Sequence, residues 1–199
     1  DAMWKIYEPR WPKSADGKWY YKTDTSSDEL DGHYFLYALY YDLVADTESE
    51  KERVREHVRR LTDHIIEHGF QLMDHDGRPT RWARYSPKEL NFDKNWFVER
   101  GLNSLSILSY LITTAHITGD DKYRDIASIL VNQHGYAQNM IDMKFQRGFG
   151  TGNQSDDEMA FMCYYNLVNY EQDPELRSRY AFSFWLAWQQ EAPELNPFF

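Results

Sequence analysis

The chain has 199 residues, 42% hydrophobic and 27% charged, an ordinary balance for a globular protein with one well-buried core. Its formal net charge of −10 argues against a nucleic-acid partner, whose phosphates need a basic face, and against an anionic membrane surface. No apolar run approaches the roughly 20 residues needed to cross a bilayer, and the single cysteine, Cys163, rules out a disulfide framework within the chain.

Residues 1–24 form an aromatic entry segment in which Pro9, Pro12 and Gly17 forbid a long helix. It leads into the stretch Asp24-Thr-Ser-Ser-Asp-Glu-Leu-Asp-Gly-His-Tyr-Phe. Ser26 or Ser27 is a suitable N-cap there, and Asp28 and Glu29 fall in the first turn, where negative charge suits the helix dipole. A helix over about 27–45 follows, apolar or aromatic on nearly every side and expected to be buried all round. After a short break the next helix runs to about 68, with Val54, Val58, Leu61 and Ile65 on one stripe, and so reads as an amphipathic outer partner.

Asp76-Gly77 signals a β-hairpin over 70–82, and the segment on to residue 95 reads as a long loop carrying Trp82 and Tyr85. The helical pattern then repeats over 98–118 and 122–134, divided by Gly119-Asp-Asp and closed by Gly135. A second long loop, about 138–154, ends in Gly148-Phe-Gly-Thr-Gly and opens into Asn153-Gln-Ser-Asp-Asp-Glu-Met. Ser155, Asp157 and Glu158 align there with Ser26, Asp28 and Glu29 without a gap. Helices over 156–170 and 174–190 complete the pattern, the second with Pro174 at its first position.

The expected fold class is therefore all-α. Three antiparallel hairpins each pair an inner apolar helix with an outer one, and a short β-hairpin lies near 70–82. Residues 25–199 form one helical-hairpin domain. The irregular spacing of the inner helices counts against a fixed-period solenoid. Tight turns within hairpins put the long connections at the other end, so the acidic helix starts, the segment 91–100 and the Asp-Gly hairpin should share one rim. The chain opens with Asp-Ala-Met and stops at Asn-Pro-Phe-Phe, which reads as a processed chain or a piece of a longer protein. A secreted or periplasmic setting is favoured, although the lone cysteine leaves the redox compartment open.

Inner and outer helices with acidic and aromatic loops on one rim resemble the (α/α) toroids of the six-hairpin glycosidase-like superfamily. The resemblance is architectural and covers about residues 24–190. It implies a carbohydrate substrate bound where the inner helices begin and further domains of the same protein, since a complete toroid has about twice as many hairpins. Most members are glycoside hydrolases, polysaccharide lyases or sugar epimerases. A hydrolase needs two carboxyl groups flanking the scissile bond, one protonated and one ionised. Asp28 and Glu29 from one inner helix and Asp157 and Glu158 from another supply such a set, with Glu158 or Asp157 as the acid. Asp24, His33, Trp82, Tyr85, Trp96, Arg100 and Asn153 are the expected substrate-binding residues. A lyase would use His33 or Tyr34 as base and Arg81 or Arg100 against a substrate carboxylate.

No cofactor and no metal is expected. His64-Ile-Ile-Glu-His68 matches a zinc pattern, but it ends an outer helix and lacks a third ligand. The alternative to an enzyme is a non-catalytic helical module that uses the same rim to bind a glycan or to dock.

Overall fold

The computed structural model describes residues 10–143 and 154–195. Side-chain caps set where the helices begin. Helix α1 (Ser27–Leu43) starts in a capping box, in which the Glu29 carboxylate accepts the Ser26 N–H at 2.8 Å. Helix α2 (Glu48–Glu67) starts the same way, with Thr47 and Glu50 exchanging hydrogen bonds. Strands β1 (Gln71–Met73) and β2 (Pro79–Arg84) form the expected antiparallel hairpin, with Gln71 opposite Arg84. The expected loop beyond the hairpin is partly helical. Ser86 caps α3 (Pro87–Phe92), where proline at the first position sacrifices no hydrogen bond, and a 3-10 turn follows at Lys94–Trp96.

Helices α4 (Arg100–Thr118) and α5 (Lys122–His134) each end on a glycine at φ +69, Gly119 and Gly135, the left-handed conformation that a helix stop requires. Helix α6 (Tyr136–Asn139) and a 3-10 turn at Met140–Asp142 come next. Helices α7 (Gln154–Tyr170) and α8 (Pro174–Glu191) form the last hairpin, and the Asp173 carboxylate accepts the Glu175 and Leu176 N–H groups at its start. The Gly148-Phe-Gly-Thr-Gly loop and Asn153 lie outside the described residues.

Helix α4 is the axis, and every residue from 101 to 115 is buried. It packs against α1, α2, α5 and α7, while α1 also packs directly on α7. The inner helices thus form a triangle, with α2, α5 and α8 outside it. Stacking of Tyr34 on Tyr110, with ring centroids 4.1 Å apart, and a Tyr34–Thr62–Thr114 hydroxyl chain at 2.7 Å per step tie α1, α2 and α4 together. Gly101 permits a close backbone approach, because a Cβ there would clash with the Asp142 carbonyl oxygen.

One expectation fails within this frame. Helix α1 is not buried all round. Leu30, Asp31, Tyr34 and Ala38 face inward, whereas Leu36, at 56% exposure, and Leu43 face out. The triangle has room for only one face of α1, and α2 covers the opposite flank incompletely. Helix α4, buried on every side, also buries small polar side chains. Asn103, Ser104, Ser106, Ser109, Thr113 and Thr114 are all buried, small enough to let neighbouring helices approach.

Candidate functional site

All three inner helices begin at the same end. There a cavity of about 460 Å³ is walled by the entry segment (Arg10, Lys22, Asp24), α1 (Ser27, Asp28, Asp31), β2 (Arg81, Trp82), α4 with the residue before it (Glu99, Leu102), and α7 (Ser155, Asp156, Met159). The rim expected from the hairpin pattern is thus a concave polar site, of a volume that ordinarily holds a small ligand. A hollow of about 440 Å³ between α1 and α2, edged by Leu36, Tyr37, Tyr40 and His57, has no buried titratable group among its described residues.

Asp24 anchors the entry segment. Its carboxylate is buried and accepts the Arg81 N–H at 2.7 Å, with the Arg10 and Arg81 guanidinium groups 3.4 and 3.7 Å away. Its own N–H donates to Asp74 Oδ2 at 2.8 Å. These bonds hold Asp24 at φ +54, a conformation that costs a non-glycine residue about 1–3 kcal/mol. Asp24 is therefore mainly the joint between the entry segment and the β-hairpin.

The acidic doublets divide by helix phase. Asp28 lies on the cavity wall and is hydrogen-bonded by the Ser26 hydroxyl. Glu29 is off the wall, committed to the cap and to Lys22 Nζ at 2.6 Å. Burial alone would raise its pKa, but the Lys22 ammonium and the Ser26 N–H outweigh it and hold the carboxyl below its ordinary range. On α7 the residue that reaches the cavity is Asp156. Asp157 is buried and Glu158 is exposed, and neither is part of the wall.

Asp31 is the group that sequence reasoning missed. It is 1% exposed, yet it forms part of the cavity wall. Tyr110 donates to its Oδ1 at 2.5 Å, and the Cys163 thiol lies 3.2 Å from the same oxygen. Its other oxygen, Oδ2, is buried without a hydrogen-bond partner among the described residues. Burial pushes the Asp31 pKa up to about 7, against the Tyr110 hydroxyl, the Cys163 thiol and the nearby Ser106 hydroxyl, which favour the ionised form, and with a small further push from Asp28. Burial also raises the Tyr110 and Cys163 pKa values well above the ordinary range, so both stay protonated as donors.

Of the expected aromatic platforms, Trp82 is on the wall and 37% exposed. The Arg81 guanidinium sits 5.0 Å from its ring centre, and Trp96 meets it edge-on at 6.4 Å. Trp96 is half-buried and lies outside the wall, under Arg84 at 5.7 Å. Tyr85 is a correction. At 0% exposure it has no face to offer a ligand, because the strand end turns it inward, 3.4 Å from the Tyr110 hydroxyl. His33 is exposed and stacks on Tyr37, away from the cavity, while Arg100 lies over Phe97. The apparent zinc pattern has a structural use, since His64 Nε2 accepts the Met73 N–H at 3.1 Å and pins β1 to α2. Burial and the nearby His68 lower the His64 pKa, consistent with a neutral acceptor.

Among the described residues no three His, Cys, Asp or Glu side chains come together as a metal site, and no helix is long and apolar enough to cross a membrane. Fold and site together define an all-α bundle of helical hairpins with a polar, carboxylate-rich cavity at its rim. No family model, curated protein or solved structure matches the chain.

Proposed function

We propose that the rim cavity binds a carbohydrate and hydrolyses it, in the manner of the hairpin-built glycosidases that the architecture resembles. The observation that carries this reading is the meeting of carboxyl groups from two inner helices, Asp28 and Asp156, beside the half-exposed Trp82 in one cavity. Glycoside hydrolysis needs carboxyl groups on either side of a bond, and an indole face suits the apolar side of a sugar ring. Hydrolysis is preferred to elimination because the candidate lyase bases are badly placed. His33 points to the outer flank, and Tyr34 is buried under Tyr110.

The test is incubation with a panel of neutral and uronic-acid oligosaccharides, with products resolved by mass. Products heavier by one water than the cleaved fragments support hydrolysis. Unsaturated products would replace it with elimination, and the absence of product from every glycan that binds would leave only binding.

The second reading is a non-catalytic helical module that uses the rim to bind or to dock. It is favoured by exposed aromatic residues in the later turns of α8, Phe182, Trp185 and Trp188. On this reading, replacing any single rim carboxylate leaves binding nearly unchanged.

A further inference from the structure

We infer that Asp31 is the proton donor of the rim site, delivering its proton from Oδ2 to the oxygen of the bond being broken. The inference rests on the glycan reading above and replaces the acidic doublets as the source of the acid.

The geometry assigns the proton to one oxygen. Oδ1 accepts from Tyr110 at 2.5 Å and faces the Cys163 thiol at 3.2 Å, so its lone pairs are engaged. Oδ2 has no such partner among the described residues, and Asp31 is part of the cavity wall. A carboxyl proton on Oδ2 is therefore carried on the uncommitted oxygen of a side chain fixed at its other end. Tyr110 is a positioning residue, because it acts through Asp31.

The groups facing Asp31 are Asp28 from its own helix, Tyr110 from α4, Cys163 from α7 and Tyr85 behind β2. Glu99, Arg81 and Asp156 stand on the cavity wall, with Arg10, Lys22 and Asp24 from the entry segment. The cations are already engaged with carboxylates, Arg10 and Arg81 with Asp24 and Lys22 with Glu29. None pairs with Asp31 among the described residues, so burial dominates its protonation.

The step consumes one water. As the bond from the anomeric carbon to the bridging oxygen breaks, that oxygen takes the Asp31 proton and its electron pair leaves with the departing sugar. The water oxygen ends on the anomeric carbon. The second proton of that water passes to a wall carboxylate, Asp28 or Asp156, and through solvent Asp31 regains a proton.

Asp31→Asn and Tyr110→Phe test this. With a glycan that the wild-type protein binds and cleaves, Asp31→Asn should keep the wild-type dissociation constant within about threefold and lower kcat by about 10²–10⁴-fold, the usual worth of a general acid. Wild-type kcat in Asp31→Asn would overturn the assignment while leaving the glycan site standing. Absence of glycan binding by the wild-type protein would overturn both. If Asp31→Asn does not fold, Tyr110→Phe decides. Losing a donor to the ionised carboxylate should raise the pH at which kcat falls on the alkaline side, and an unmoved limb in a folded Tyr110→Phe protein would overturn the proposal.

Discussion

The Tyr110 hydroxyl lies 2.5 Å from Asp31 Oδ1, so the central helix α4 holds one end of a buried carboxyl on α1 whose other end has no described partner. The same hydroxyl is 3.1 Å from the Ser27 carbonyl oxygen at the start of α1. One side chain thus ties the beginning of an inner helix to the carboxyl that its first turns present to the cavity.

That arrangement fixes a pH dependence of stability. Asp31 has an ordinary pKa of 3.8 and is pushed up to about 7 in the folded protein, chiefly by burial. Its protonated form is therefore the stabilised one. The contribution is complete below pH 3.8, declines as Asp31 ionises in the unfolded chain, and is lost as pH rises through about 7. Asp31→Asn imitates the protonated form and should remove this dependence. Urea denaturation should find the variant more stable than wild type at pH 8, by on the order of 4 kcal/mol, with the difference shrinking towards pH 4. An equal difference at both pH values would show that Asp31 does not titrate in this way.

Gly101→Ala should destabilise the protein although alanine is ordinarily the better helix residue by about 1 kcal/mol. The added Cβ would clash with the Asp142 carbonyl oxygen and lie 2.7 Å from that of Met143, both backbone atoms. Forced repacking of this kind costs about 1–3 kcal/mol, readable as a lower urea midpoint. A midpoint at or above wild type would mean that α4 and the 140–142 turn are not in this contact.

Asp24→Ala should loosen the entry segment by removing an acceptor of the Arg81 N–H and the carboxylate beside two guanidinium groups. A loss of about 2–4 kcal/mol is expected, with faster hydrogen exchange at Tyr21 and Thr23, whose N–H groups bond within that segment. Asp24→Asn keeps one acceptor and tolerates positive φ, so it should cost clearly less. Equal losses would locate the role of Asp24 in its charge alone.

Among the carboxylates, position on the wall should separate the effects. Under the glycosidase reading, Asp28→Asn and Asp156→Asn should lower turnover at least tenfold. Glu29→Gln should instead lower thermal stability through the cap, and Glu158→Gln should leave both turnover and stability near wild type. Loss of turnover confined to Glu29→Gln and Glu158→Gln would restore the pairing expected from sequence.

Helix positions were legible because they rest on local chemistry: Ser26 as a cap, Pro174 at a first position, and Gly119 and Gly135 as stops. The common rim followed from short turns within the hairpins. Which carboxyl faces the cavity was not legible. Asp28/Glu29 and Asp157/Glu158 match in sequence, but α7 brings Asp156 to the wall where α1 brings Asp28. Asp31 was hidden for a related reason. An aspartate at the end of an acidic cap reads as solvated, and only its spacing to the buried Tyr34 and Ala38, three and seven positions on, puts it on the inward face. Tyr85 misled in the opposite way, because a residue placed in a loop by its sequence sits at a strand end and points into the core.

The most direct measurement is a thermal-shift and denaturation screen of the wild-type protein and Trp82→Ala against millimolar neutral and uronic-acid oligosaccharides. A glycan at 100 times its dissociation constant should add about 2.7 kcal/mol of stability to the wild-type protein, and that gain should fall sharply in Trp82→Ala. No shift across the panel, or one unchanged in Trp82→Ala, would contradict a carbohydrate site in the rim cavity.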